Sequence, residues 1–102
     1  MIKVNILYPN QPGARFDHAY YSEKHMPMVT GLLGEACKGW GIEKGLSGGA
    51  PGVEAPYVCI GHLLFDSVQA FGAAIRPHGA VIGADLANYT DLKPVTQISE
   101  VI

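Results

Sequence analysis

Tyr57-Val58-Cys59-Ile60-Gly61-His62-Leu63-Leu64-Phe65 is a run of nine residues with one polar side chain, bounded by Pro56 on one side and Asp66-Ser67 on the other. Its length and its β-branched and aromatic content predict a strand, and its near-continuous apolarity predicts a strand covered on both faces. Alternation puts Val58, Ile60, His62 and Leu64 on one face and Cys59, Gly61, Leu63 and Phe65 on the other. Helices of the same chain can cover one of these faces. The other is too apolar for bare solvent, and face-to-face pairing with a second copy would bury it.

Working outward, residues 2–8 alternate in the same way. Ile2, Val4, Ile6 and Tyr8 share one face, and Lys3, Asn5 and Leu7 the other, which predicts a first strand ended by Pro9-Asn10-Gln11-Pro12-Gly13. A helix follows, with Asp17 as N-cap and Tyr21, His25, Met28, Val29 and Leu32 on one face. Pro27 removes a hydrogen bond inside that pattern, so a kink or restart is expected there, and Gly34 is the expected stop. Residues 36–46 are expected to form the second strand, and residues 47–56 a loop rich in glycine and proline. After Tyr57–Phe65, Asp66-Ser67 caps a second helix that carries Val68, Phe71 and Ile75 inward and breaks at Pro77. A helical turn resumes over 79–86, and Pro94 to Ile102 closes the chain as a strand. The order β-α-β-β-α-β predicts an α+β, ferredoxin-like domain spanning 1–102: a four-stranded antiparallel sheet with helices on one face.

A chain of 102 residues is of single-domain length. Hydrophobic residues make up 48% and charged residues 16%. So few charges predict a buried subunit interface or an apolar pocket. The net charge of −2 and the absence of a basic run argue against nucleic acid and anionic membrane surfaces as partners. No apolar stretch reaches the roughly 20 residues of a membrane span. Met1-Ile2-Lys3-Val4 enters a strand directly, without a signal-peptide pattern, so a cytoplasmic location is expected. The two cysteines fit that expectation. In the predicted hairpin Cys37 falls near Phe65, leaving it on the order of 20 Å from Cys59, so both are read as thiols.

The stretch from Phe16 to Met28 holds the candidate chemistry. Tyr21 and His25, four residues apart, share a helical face beside the break at Pro27. A phenol beside an imidazole can relay a proton or orient a bound oxygen, and histidine titrates near neutrality. The plainer account is that His25 bonds a loose carbonyl at the kink. His62 has two readings: a pocket residue if its face lines a barrel interior, a core histidine if that face packs on the helices. His78 is read as exposed at a helix break and His18 as solvated. No spacing suits a metal, and Gly45-x-x-Gly48-Gly49 lacks the lysine and context of a phosphate loop. No dedicated cofactor site is therefore expected. Trp40, Tyr57, Phe65 and Tyr89 are candidates for an apolar pocket wall, Asn5 and Lys3 for a wet interior, and Asn88 and Asp91 for the pocket mouth.

The pattern Phe16-x3-Tyr20-Tyr21-x3-His25-x-Pro27, after a strand ending Tyr8-Pro9, resembles the EthD family. Gly61-His62-Leu63-Leu64-Phe65-Asp66-Ser67 and the stretch from Tyr89 to Glu100 resemble it too, so the likeness spans essentially the whole chain. The resemblance implies a dimeric α/β barrel: a homodimer with a pocket on each sheet. Its members are often labelled reductases, and relatives include decarboxylases, cyclising enzymes, cofactor-free monooxygenases and haem-binding proteins. Fold is thus better defined than reaction. The expected ligand is a small hydrophobic, aromatic or oxygenated compound of catabolic or secondary metabolism. The expected catalytic pair is His25 and Tyr21, with Tyr20, Trp40, His62, Tyr8, Asn5 and Tyr89 contacting substrate. The chemistry would be oxidoreductase-type or cofactor-free acid–base catalysis. The alternatives are a non-catalytic carrier or accessory protein to an oxidising system, or a haem-binding barrel.

Overall fold

The computed structural model describes all residues, 1–102. Its regular elements are β1 (Ile2–Pro9), α1 (His18–Tyr20), a π-helical turn (Tyr21–His25), α2 (Met26–Leu33), β2 (Gly39–Lys44), β3 (Tyr57–Phe65), α3 (Val68–Ile75), α4 (Gly79–Asp85) and β4 (Val95–Glu100), with short 3₁₀ turns at Gly34–Ala36 and Leu86–Asn88. The sheet order is β2-β3-β1-β4 and every pairing is antiparallel. This is the ferredoxin-like arrangement, with the helices against one face.

Register decides which side chains meet the helices. Val4 lies opposite Leu63, and Ile2 opposite Phe65, in the two central strands. These residues are buried together with Tyr8 and Cys59. Lys3, Asn5 and Leu7 point the other way and pair with Leu64, His62 and Ile60. Gln97 and Val95 extend those rows on β4, and Gly41 and Glu43 extend them on β2. The uncovered face therefore has a polar row of His62, Asn5 and Gln97 beside an apolar row of Ile60, Leu7 and Val95.

The helical layer follows from its caps and breaks. The Asp17 carboxylate accepts from the Tyr20 amide at 3.0 Å and starts α1. Pro27 carries no N–H, and the turn before it widens so that Met26 N–H bonds Tyr21 C=O, five residues back. The extra residue lets His25 and Met26, adjacent in sequence, both face the core. It also moves the buried stripe of α2 to Met26, Val29 and Leu33, where an uninterrupted helix would bury Met28 and Leu32. Gly34, at φ 63°, ends α2 in a conformation that favours glycine. Ser67 caps α3 by accepting from the Ala70 amide at 3.0 Å.

Three local expectations are corrected. The second strand is shorter than 36–46, because residues 34–36 close the preceding helix as a 3₁₀ turn. The last strand spans Val95–Glu100, and Pro94, which cannot donate to a ladder, stays outside it. His18 is not simply solvated: it is half-buried, its ring nitrogen is 3.0 Å from the Val58 carbonyl, and it packs against Phe16.

Candidate functional site

A cavity of about 210 Å³ lies between the helices and the covered face of the sheet. Val4 and Ile6 of β1 and Leu63 of β3 form its floor, Met26 and Val29 of α2 one wall, and Phe71, Ile75, Ile82 and Leu86 the opposite wall. Tyr8, Tyr21 and His25 close one end, and Thr96 adds a hydroxyl on β4. No lysine, arginine, aspartate or glutamate lines it.

The polar end is built from two distant stretches of chain. Segment 15–17 is pinned to segment 89–92: the Asp17 amide bonds the Tyr89 carbonyl at 2.8 Å, Thr90 Oγ1 bonds the Arg15 carbonyl at 2.7 Å, and the Arg15 amide bonds Asp91 at 2.9 Å. This seam places Tyr89, fully buried, beside the π-helical turn. Tyr21 stacks on His25 with ring centroids 5.5 Å apart, and the Tyr89 ring lies 4.6 Å from that of His25. Gly61 makes the fit possible, since a Cβ there would stand 2.2 Å from the Tyr21 hydroxyl.

His25, only 4% exposed, is held at both ring nitrogens. Nδ1 is 2.8 Å from Asp85 Oδ2, and Nε2 is 3.3 Å from the Tyr89 hydroxyl. A carboxylate only accepts, so the ring proton sits on Nδ1 and Nε2 is an acceptor for the Tyr89 O–H. The Tyr8 and Tyr89 hydroxyls are 2.9 Å apart, which continues the chain to the cavity wall. Asp85 is anchored in turn: Oδ1 accepts from the Tyr20 O–H at 2.8 Å and from Asn88 Nδ2 at 2.9 Å. Every buried side-chain polar atom has a partner.

Electrostatics assigns different tasks along this chain. Burial opposes the charge of Asp85, but the bonds from His25, Asn88 and Tyr20 outweigh it and hold the carboxyl below its ordinary value. Burial pushes Tyr21 and Tyr89 far above the ordinary tyrosine value, and Tyr8 rises for the same reason despite its contacts with Tyr89 and Tyr21. These phenols stay neutral and suit proton transfer better than storage of charge. The Cys59 thiol is pushed up to about 12, chiefly by burial and further by Glu43, so it is no nucleophile. Cys37 is also a free thiol.

The residues that the sequence singles out divide between the two faces. His25, Tyr21, Tyr8 and Tyr89 come together, and Tyr20 joins them through Asp85. Asn5 and His62 are neighbours across β1 and β3 on the uncovered face, away from this cavity. Trp40 is 44% exposed on the edge strand β2 and does not line the cavity. Asp85 is not among the residues the sequence singles out. The available signal was its position as the one charged residue of the apolar segment 79–86. No three His, Cys, Asp or Glu side chains converge to hold a metal ion.

Fold and site together define a class: small ferredoxin-like proteins with an apolar pocket between sheet and helices, polar at one end. The EthD domain model matches residues 13–93, and the chain belongs to the EthD family. It is similar in structure to an EthD-like protein of Ralstonia eutropha JMP134, with 53% identity over 99% of this chain and 91% of the other, at a TM-score of 0.95. An ethyl tert-butyl ether D (EthD) family protein of Bacillus halodurans C-125 shares 18% identity over 100% of this chain and 99% of its own, at 0.75. A dimeric protein of ferredoxin-like fold from Bacteroides fragilis NCTC 9343 shares 14% identity over 98% and 95%, at 0.51. Among curated proteins none matches.

Proposed function

We propose that the protein binds a small uncharged compound, an apolar body with one oxygen function, in the cavity beneath its helices, and acts on it by acid–base chemistry drawn from His25. The observation that carries this reading is the unbroken hydrogen-bonded chain from Asp85 through His25 and Tyr89 to Tyr8 at the cavity wall. A wall without charged side chains disfavours carboxylates, phosphates and ammonium groups, because burying an unpaired charge is costly. An apolar cavity of about 150 Å³ takes benzene, so one of about 210 Å³ suits a substituted ring or a branched chain. The relative from Bacillus halodurans carries the name of ethyl tert-butyl ether, a branched uncharged molecule with one oxygen. No helix is long and apolar enough to cross a membrane. Two free thiols fit a reducing cytoplasm. A second copy covering the half-exposed Val58, Ile60 and Leu64 would complete the molecule as a homodimer.

The test is calorimetric titration at neutral pH with phenol, benzoate and benzylammonium, on the wild type and on Ile82→Trp, which fills the cavity from α4. Phenol should bind at least about tenfold more tightly than either ion, a difference of about 1.4 kcal/mol, and Ile82→Trp should abolish its binding. Equal affinity for benzoate, or unchanged affinity in Ile82→Trp, would remove this site.

A non-catalytic carrier is the second reading, favoured by one observation: both nitrogens of His25 are already bonded within the protein, which leaves no bare base in the cavity. A catalyst should lose rate on titration of a group in the histidine range, whereas a carrier should change only in affinity.

A further inference from the structure

We infer that Tyr8, and not His25 itself, is the side chain that meets the oxygen of the ligand, with Tyr89 passing the proton between Tyr8 and His25 and with Asp85 as the positioning residue that fixes the direction of the relay. This inference rests on the cavity being the ligand site and deepens that reading.

Three observations converge on it. First, neither ring nitrogen of His25 is open: Nδ1 holds Asp85 at 2.8 Å and Nε2 faces the Tyr89 hydroxyl at 3.3 Å. His25 borders the cavity, but a ligand could reach Nε2 only by displacing Tyr89. Second, Tyr89 is 0% exposed and does not border the cavity, so it cannot touch a ligand. Third, Tyr8 belongs to both worlds. Its hydroxyl is 2.9 Å from that of Tyr89, and its side chain lines the cavity. A phenol oxygen that donates to Tyr89 keeps two acceptor positions, of which the Tyr21 hydroxyl takes one and the other is left for a ligand donor.

The direction follows from Asp85. Because its carboxylate requires the imidazole proton on Nδ1, Nε2 accepts from Tyr89 and the Tyr89 oxygen accepts from Tyr8. An acidic O–H of the ligand would then give its proton to the Tyr8 oxygen as Tyr8 passes its own to Tyr89 and Tyr89 passes its own to Nε2. One O–H bond breaks and one forms at each phenol. The net change is a ligand anion and an imidazolium paired with the Asp85 carboxylate. Tyr20 and Asn88, which bond Oδ1, hold that carboxylate in place throughout.

The test uses 4-nitrophenol, whose neutral and anionic forms absorb at different wavelengths, at the pH where the free probe is half ionised. It enters as the neutral phenol, and bound to the wild type part of it should absorb as phenolate, because its proton has passed along the relay and the imidazolium balances the charge. Tyr8→Phe and Tyr89→Phe should each still bind it, and in each the ratio of phenolate to phenol should fall by about tenfold, the equivalent of one pKa unit. Tyr89→Phe decides the matter. If the ligand met His25 directly, removing the Tyr89 hydroxyl would free Nε2, and the phenolate fraction would hold or rise; that result overturns the relay. If the wild type fails to bind the probe, the cavity reading falls and the relay is judged without ligand, from the ¹⁵N resonances of His25. Tyr8→Phe, two residues along the chain, should move Nε2 while Nδ1 stays protonated. An unmoved Nε2 overturns it.

Discussion

The two faces of one sheet hold two histidines in opposite circumstances. On the covered face, His25 is bonded at both nitrogens, pressed between Tyr21 and Tyr89, and 4% exposed. On the uncovered face, His62 is half-buried and its ring lies across Gly41, with Asn5 beside it and no hydrogen bond fixing it. The same period of two that seats Leu63 in the core puts Leu64 and His62 outside it. A constrained polar group is costly to build and specific in action. A loose one on a half-apolar face is available for whatever covers that face.

The contrast breaks most visibly at adjacent leucines. Leu63→Ala removes a side chain buried to 3% exposure and should cost about 2–5 kcal/mol. Leu64→Ala, half-buried on the other face, should cost under about 1 kcal/mol in dilute protein. If two copies pair through that face, the Leu64→Ala penalty should grow with protein concentration while that of Leu63→Ala does not. Thermal melts at two concentrations read both, and equal penalties for the two leucines would end the distinction between the faces.

The glycines sharpen the same comparison on a smaller scale. A Cβ at Gly61 would meet the Tyr21 hydroxyl at 2.2 Å, and Tyr21 is boxed in by Tyr8, Phe16, His25 and Tyr89. Gly61→Ala should therefore cost about 1–3 kcal/mol, as overpacking does. A Cβ at Gly41 would stand 2.6 Å from His62 Cε1, but that ring is free to swing away. There the general gain of alanine over glycine in a strand, about 0.5–1 kcal/mol, should offset the displacement and leave stability near wild type. A denaturant midpoint for each variant checks this pair.

What the sequence made legible is whatever it writes locally. The alternation at Ile2–Tyr8, the near-continuous apolar run at Tyr57–Phe65, the caps at Asp17 and Ser67, and the stop at Gly34 are each encoded within a few residues. Pro27 announced a break but not its form. The widened turn shifts the buried stripe by one residue, and only the packing of His25 and Met26 against the sheet selects it. The pairing of His25 with Asp85 spans 60 residues and depends on α4 crossing the cavity, so no local pattern carries it. Tyr20 was legible as a neighbour of the site, but its partner was not, because that partner is Asp85. Gly61 carried a readable hint: a glycine inside an otherwise apolar strand often marks a close approach.

The smallest expected effect lies in pH. Burial disfavours the charged form of His62, the nearby Lys3 adds to this, and Glu43 opposes it, with a lowered pKa as the net result. The folded protein thus takes up the His62 proton less readily than the unfolded chain. Stability should be full above the unfolded histidine value of about 6.5 and should fall as pH drops from there toward the folded value. Asp85 runs in a lower window: its depressed pKa makes a contribution that persists through neutrality and is lost only as pH falls below about 4. His62→Gln should therefore flatten the fall in melting temperature that begins below about pH 6.5 and leave the steeper acid limb in place. Asp85→Asn should instead reduce the loss of stability below about pH 4. If a second copy sits on the uncovered face, His62 is more deeply buried in the pair, and the slope it causes should steepen at higher protein concentration. A His62→Gln variant with the wild-type slope at every concentration would mean that the uncovered face does not feel that imidazole, and the contrast between the two histidines would then rest on His25 alone.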